Sequence, residues 1–188
     1  AAMNKKANEL LQSYGFDKIK AGDMIDDYNF EDRKLVEIVK ATYFNPKIVV
    51  VDETTTALSQ EGREELYKQM NRVRDNGNTV IFISHDLGVI KHVSDRIAIM
   101  YLGRIVELCE ADAIYENPLH PYTKALLSAI PPVSPFAKKE RIVLKGDIPS
   151  PIGDQIGCPL AGRCPNCMEK CKKEIPKLKD AGDGHQVA

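Results

Sequence analysis

The sequence predicts an α/β protein built on a parallel sheet flanked by helices, and three observations carry that expectation. The runs Ile48-Val49-Val50-Val51 and Thr79-Val80-Ile81-Phe82-Ile83 are continuous β-branched and aromatic stretches, the composition of strands buried on both faces. Between them lies a helix-length stretch whose Leu66, Met70 and Val73 fall on one stripe. Strand, helix, strand is the unit that builds a parallel sheet through right-handed crossovers. Both strands then run into polar residues, Asp52-Glu53 after the first and Ser84-His85-Asp86 after the second. Open α/β sheets bind their ligands at the carboxyl ends of strands, so these acids and this histidine stand where chemistry is done.

Ahead of the sheet, residues 4–14 place Ala7, Leu10, Leu11 and Tyr14 on one helix face, and Gly15 ends that helix. After a polar loop at 17–27, Leu35, Val36, Ile38, Val39 and Thr42 line a second helix that stops by Asn45-Pro46. Residues 1–45 therefore read as a helical subdomain. Residues 46–109 read as the sheet-bearing core. Ser59 is the expected N-cap of the helix over 60–75, and Asn76-Gly77-Asn78 is a turn. A helix through about residue 93 follows the second strand, and Leu102-Gly103 joins residues 96–101 and 104–108 as a tight hairpin. Residues 110–188 read as an extension. They hold a short helix at 111–115, a second helix through 129, one strand candidate at 141–145, and an irregular Pro-, Gly- and Cys-bearing tail.

Composition narrows the function classes. A chain of 188 residues, 43% hydrophobic, can bury one substantial core with an appendage. Its net charge of −1 gives no nucleic-acid footprint. No apolar run is long enough to span a bilayer, so a membrane role would pass through a partner. Cys158, Cys164, Cys167 and Cys171 crowd into one short stretch, which favours metal or redox chemistry over a disulfide framework.

An aspartate at a strand end can hold Mg²⁺, which takes a few carboxylates together with phosphate and water oxygens. A glutamate beside it can orient an attacking water, and a histidine at the next strand end can meet a developing phosphate charge. The structural alternative is that Asp52 caps the following turn and His85 is satisfied by backbone. Four thiolates in a short Pro/Gly loop can ligate Zn²⁺ or a [4Fe–4S] cluster, or stand reduced and unliganded.

These stretches resemble a family. Ile48-Val49-Val50-Val51-Asp52-Glu53 is similar to the Walker B strand of ABC-transporter ATPases, Thr55-Thr56-Ala57-Leu58-Ser59 to their D-loop, and Ile83-Ser84-His85-Asp86 to their switch-histidine loop. The stretch from Ser94 to Glu107 resembles their final hairpin. Asn117-Pro118-Leu119-His120-Pro121-Tyr122-Thr123, Gly146-Asp147-Ile148-Pro149-Ser150-Pro151 and the cysteine tail resemble the C-terminal region of oligopeptide/dipeptide importer ATPases, a region shared by nickel importers. The resemblance implies the C-terminal part of a P-loop (RecA-like) NTPase fold that binds ATP with Mg²⁺. Asp52 would hold the metal, and Glu53 and His85 would be the catalytic and γ-phosphate-sensing residues. It further implies a second ATPase subunit and transmembrane permease subunits as partners, and a peripheral place on the cytoplasmic face of a prokaryotic plasma membrane. In that family the cysteine extension carries iron–sulfur, which implies Cys158, Cys164 and Cys171 as ligands; Cys167 is extra to the family pattern and either supplies the fourth ligand or is incidental, and His185 is a weaker candidate.

The departures are as specific as the matches. No Gly-x-x-x-x-Gly-Lys-Ser/Thr occurs in the sequence, and the nucleotide-stacking aromatic and Q-loop are missing as well. The expected reading is the C-terminal half of a nucleotide-binding domain that does not bind ATP tightly by itself. The family's glycine-rich signature aligns with Tyr28-Asn29-Phe30-Glu31-Asp32, where the glycines are gone and two acids stand in a run closer to sugar-importer ATPases. Carboxylates there would repel a γ-phosphate by about 1–4 kcal/mol. The D-loop has Thr54 where proline is usual and Ser59 where aspartate is usual. Together these imply a degenerate site in an asymmetric pair. The competing expectation is a non-catalytic partner or metal-binding regulatory module that pairs with another ATPase chain.

Overall fold

Residues 2–131, 140–150 and 156–188 are described by the computed structural model, and all structural statements concern them. The chain divides into two units, Ala1–His85 and Asp86–Ala188, each with its own core. That division falls at neither of the boundaries expected near 45 and 110.

In the first unit, α1 (Ala2–Ser13) and α2 (Phe30–Thr42) pack through Leu11, Phe16, Ile19, Leu35 and Val39. Gly15 ends the first of them at φ 84°, a conformation open to glycine at no steric cost. The side chain of Asn29 caps α2 by accepting from Asp32 N–H at 2.8 Å. Strand β1 (Ile48–Asp52) pairs in parallel with β2 (Thr79–Ile83), and α3 (Gln60–Asp75) crosses between them. Val51, Leu58, Leu66 and Met70 form their core, and Ile38 of α2 packs against this cluster as well as its own.

One expectation fails here. The two strands are covered on a single face, where Val49, Val51, Val80 and Phe82 meet α3. On the other face Ile48 and Val50 are each 58% exposed, and Ile81 and Ile83 are also open. The continuous apolar run fits a strand designed for two covers, but among the described residues only one side carries a helix.

The second unit begins with α4 (Leu87–Val93), capped by Asp86, whose carboxylate accepts from Gly88 N–H at 2.9 Å. Strands β3 (Arg96–Tyr101) and β4 (Arg104–Glu110) form the expected hairpin, with Leu102 and Gly103 both at positive φ, as a tight primed turn requires. Helices α5 (Ala111–Glu116) and α6 (Pro121–Ser128) follow. The expected strand at 141–145 does not form. Its backbone is engaged by side chains instead: Ser128 Oγ accepts from Ile142 N–H at 2.9 Å, and Arg163 donates to the Leu144 carbonyl. Two strands escape the sequence pattern because each is only two residues long. They are β5 (Lys179–Asp180) and β6 (Gln186–Val187), joined through a glycine turn and added to β4 in the order β3-β4-β6-β5.

Glu107 holds this second unit together. It sits on β4 with its side chain fully buried and accepts from Leu119 N–H at 2.7 Å, His120 N–H at 3.0 Å and His185 Nε2 at 2.7 Å. Burial pushes its pKa up, but the Thr123 hydroxyl, these two amides and His185 together outweigh that and hold it below the ordinary carboxylate value. Burial lowers the pKa of neighbouring His120, with the Glu107 charge opposing. The expectation of His185 as a metal ligand is met by a different partner, since its ring is committed to Glu107.

Candidate functional site

Two parallel strands deliver their polar ends side by side. β1 and β2 run in register from Ile48 opposite Thr79 to Asp52 opposite Ile83, and the ladder continues one residue, Glu53 N–H donating to the Ile83 carbonyl at 3.0 Å. That last bond sets Glu53 against the Ser84-His85 segment. The backbone of Glu53 is left-handed, at φ 46° and ψ 25°, which costs a residue with a Cβ about 1–2 kcal/mol. Thr54 Oγ1 donates to the Asp52 carbonyl at 3.2 Å and ties down the turn.

The result is a close pair: Glu53 Oε1 and His85 Nε2 lie 2.8 Å apart, with side chains 55% and 91% exposed. Exposed pairs of this kind contribute about 0–1 kcal/mol, less than the strain at Glu53. The pair by itself therefore does not offset the strain at Glu53. Asp52 is exposed at the strand tip and, with Thr54, borders a cleft of about 270 Å³ between α2, α3 and the strands. Among the described residues no three His, Cys, Asp or Glu side chains are grouped as a metal site. A single strand-end carboxylate is compatible with Mg²⁺ all the same, because that ion keeps most of its shell as water and phosphate oxygens.

The other expected residues divide into those brought together and those kept apart. Residues Thr54–Ala57 form a single 3-10 turn, and Leu58 after it is buried in the strand core. Ala57's side chain lies outside the described residues. Ser59 caps α3, accepting from Gly62 N–H at 3.1 Å. Its hydroxyl also donates to Glu31 Oε1 at 2.8 Å. Phe30 is exposed beneath the Lys34 ammonium, and Asp32 is buried with Lys18 Nζ 3.6 Å from its carboxylate. Spacing had aligned Glu31 and Ser59 with two separate motifs, and nothing in the sequence pattern tied them together.

The cysteines lie in the second unit. Cys158 N–H donates to the Cys171 carbonyl at 2.7 Å, and Met168 N–H reaches Cys171 Sγ at 3.5 Å. Gly157, at φ 83°, makes the approach possible, since a Cβ there would stand 2.5 Å from the Cys171 carbonyl oxygen. Burial raises the pKa of Cys158 and of Cys167, and in both the neighbouring Cys171 and Cys164 thiols add to it. Among the described residues these four cysteines do not form a three-ligand grouping, and no chemistry is derived through iron–sulfur or zinc.

With this geometry in hand, comparison with known proteins is specific. A family described as "Oligopeptide/dipeptide transporter, C-terminal region" matches residues 106–171. The oligopeptide transport ATP-binding protein AppF of Bacillus subtilis is 40% identical over 188 residues, covering 98% of this chain and 57% of that protein. The dipeptide transport ATP-binding protein DppF of Haemophilus influenzae is 41% identical over 157 residues, covering 83% of this chain and 48% of its own. The chain thus spans about half the length of the relatives it matches. Among solved structures, an ATP-binding cassette of an ABC transporter in its ADP conformation aligns with a TM-score of 0.52 at 22% identity, over 69% of this chain and 51% of that one. An ATP-binding subunit of an ABC transporter aligns with a TM-score of 0.51 at 21% identity, over 56% and 44%. At these identities the structures speak to the fold, which is the α/β fold of ABC ATPase domains.

Proposed function

We propose, for a chain that carries the oligopeptide/dipeptide transporter C-terminal region and is homologous to ABC-type ATP-binding proteins of such transporters, that it supplies the water-and-metal end of an ATP-hydrolysing site that energises peptide import. The observation that carries this reading is the Glu53–His85 contact at the ends of two paired parallel strands, one residue beyond Asp52. In this reading Asp52 holds Mg²⁺, whose charge offsets that of the phosphates when bound. Glu53 accepts a hydrogen bond from the attacking water and draws off its proton. His85 lies within reach of Glu53, so its ring can orient the glutamate, and the same reading has it meet the negative charge that develops on the phosphate. The left-handed turn at Glu53 fixes the carboxylate toward the imidazole, in the way preorganised groups lower a barrier.

No phosphate-cradling loop occurs among the 188 residues, and that loop supplies much of the affinity for ATP. The reading therefore assigns the phosphate-holding end to residues other than these. A second ATP-binding subunit and membrane-spanning permease subunits complete the assembly, at the cytoplasmic membrane face. Among the described residues no helix is long and apolar enough to cross a membrane, so contact with the bilayer is assigned to the permease. The acids at Glu31 and Asp32 favour a second reading, in which the chain is the non-hydrolysing member of an asymmetric pair.

Calorimetric titration with Mg-ATP tests the division of labour. The chain on its own is expected to show no micromolar binding, and a micromolar dissociation constant would overturn the assignment.

A further inference from the structure

Two departures from the family pattern, an acid in the signature-aligned segment and a serine at the end of the D-loop-aligned one, turn out to be partners in space. Glu31 Oε1 accepts from Ser59 Oγ at 2.8 Å, and Oε2 lies 3.4 Å from Ser59 N. Ser59 is the N-cap of α3, a helix of 16 residues, so the Glu31 carboxylate also rests at the positive end of that helix. The seat beneath it is Gly62. A Cβ built there would stand 2.2 Å from Glu31 Oε1 and 2.8 Å from its Cδ, so the carboxylate occupies the space a side chain would take. An aspartate at 59 could not donate to Glu31 and would repel it. The serine makes the contact possible and the glycine makes it fit.

We propose that Glu31, Ser59 and Gly62 form an intramolecular latch that closes the start of α2 onto the start of α3 and keeps a nucleotide triphosphate off the α2 N-terminus. The function of the latch rests on the reading of residues 28–32 as the nucleotide-facing segment. Its geometry does not. An unlatched α2 would present the amides of Phe30 and Glu31 outward, as helix N-termini do toward phosphates, while the Asp32 amide stays bonded to the Asn29 side chain. Latched, the same turn carries a fixed negative charge that a phosphate must displace or endure. One other carboxylate competes for the serine. Glu61 is held below the ordinary carboxylate value by its own backbone N–H and by the Ser59 hydroxyl, so a single substitution at Ser59 disturbs two contacts.

Double-mutant cycles on the full chain separate them. Glu31→Gln and Ser59→Ala are expected to be non-additive in urea midpoint, the double variant losing no more than the worse single one. Gly62→Ala, which evicts the carboxylate without touching its charge, is expected to make Glu31→Gln neutral in its background. Additive losses in both cycles overturn the latch and leave the ATPase reading intact.

The gating role is read by ¹⁵N chemical-shift titration with Mg-ATP as the probe. Glu31→Gly should raise its association at the amides of residues 30 and 31 about fivefold or more (about 1 kcal/mol, the lower bound for removing one such repulsion). Coupled cycles with no gain in any variant overturn the gating role together with the assignment of residues 28–32 as nucleotide-facing.

Discussion

Two glutamate–histidine contacts of nearly equal length do opposite work in this molecule. Glu53 and His85 meet at 2.8 Å in the first unit with both side chains largely in solvent. Glu107 and His185 meet at 2.7 Å in the second unit, 0% and 9% exposed. Distance alone says nothing about which is structural. The buried carboxylate has lost its water and collects three protein donors in its place, so each donor depends on it and it depends on them. The exposed one makes its contact from a strained backbone and keeps water within reach. A satisfied buried charge specifies a fold, whereas a solvated pair on a strained turn is available for exchange with a ligand.

The sharpest way to break this comparison is Glu107→Ala. It strips the acceptor from Leu119 N–H, His120 N–H and His185 at once, and leaves them without it. The expected loss is about 3–5 kcal/mol, the range for removing one partner of a buried ionic network. Urea unfolding followed by circular dichroism measures it. A loss under about 1 kcal/mol would mean that the network is as replaceable as a surface pair.

Acid should act on the same network in two stages. Folding lowers the pKa of His120, so below about pH 6.5 the unfolded chain takes up a proton that the folded chain refuses, and stability begins to fall. Folding also lowers the pKa of Glu107, so its contribution is complete above about pH 4.5 and is lost as pH drops through its folded value. Both slopes run the same way: stability rises with pH. Urea midpoints between pH 8 and 4 should decline in that order, and Glu107→Gln should flatten the lower stage while keeping the upper. A stability maximum near pH 5 would contradict both signs.

The two regions also differ in how much of each could be read from sequence. Local signals carried the first: the apolar runs of β1 and β2, the Ser59 cap, the α3 stripe and the acids at the strand ends all sit where the pattern places them. Short-range spacing is enough there, because a strand end and the turn after it are set by adjacent residues. The Glu107 network was invisible for the opposite reason. Its donors come from residues 119, 120 and 185, and a two-residue strand has no period to detect. Residues 141–145 erred in the other direction, since a short apolar run reads as a strand until Arg163 and Ser128 claim its backbone. The single-face cover of β1 and β2 is likewise a tertiary fact that residue type at Ile48 and Val50 does not report.

On the exposed side of the comparison the expected effects are small. Glu53→Gln and His85→Ala should each change unfolding free energy by less than about 1 kcal/mol, as solvent-screened pairs do, and their double variant should be close to additive. In a transporter assembly that contains this chain the same substitutions should suppress ATP turnover at this site, which separates use from stability. Losses matching that of Glu107→Ala would erase the distinction between the two pairs.

The smallest effect has the most informative sign. Glu53 adopts φ 46° and ψ 25°, where a Cβ is strained by about 1–2 kcal/mol and glycine is not. Glu53→Gly removes the strain and the exposed contact together, while adding freedom to the unfolded chain that costs a few tenths up to about 1 kcal/mol. The balance is near zero or slightly stabilising, so the urea midpoint should stay level or rise. Its counterpart Glu107→Gly must fall steeply, since that strand residue has no backbone strain to release and a carboxylate to lose. A position where glycine is tolerated by the fold and glutamate is nevertheless present is one where the side chain is kept for chemistry, as stability does not require it. A clear loss of stability in Glu53→Gly would show instead that the carboxylate is part of the scaffold, and would remove the main physical reason for placing it at the reacting water.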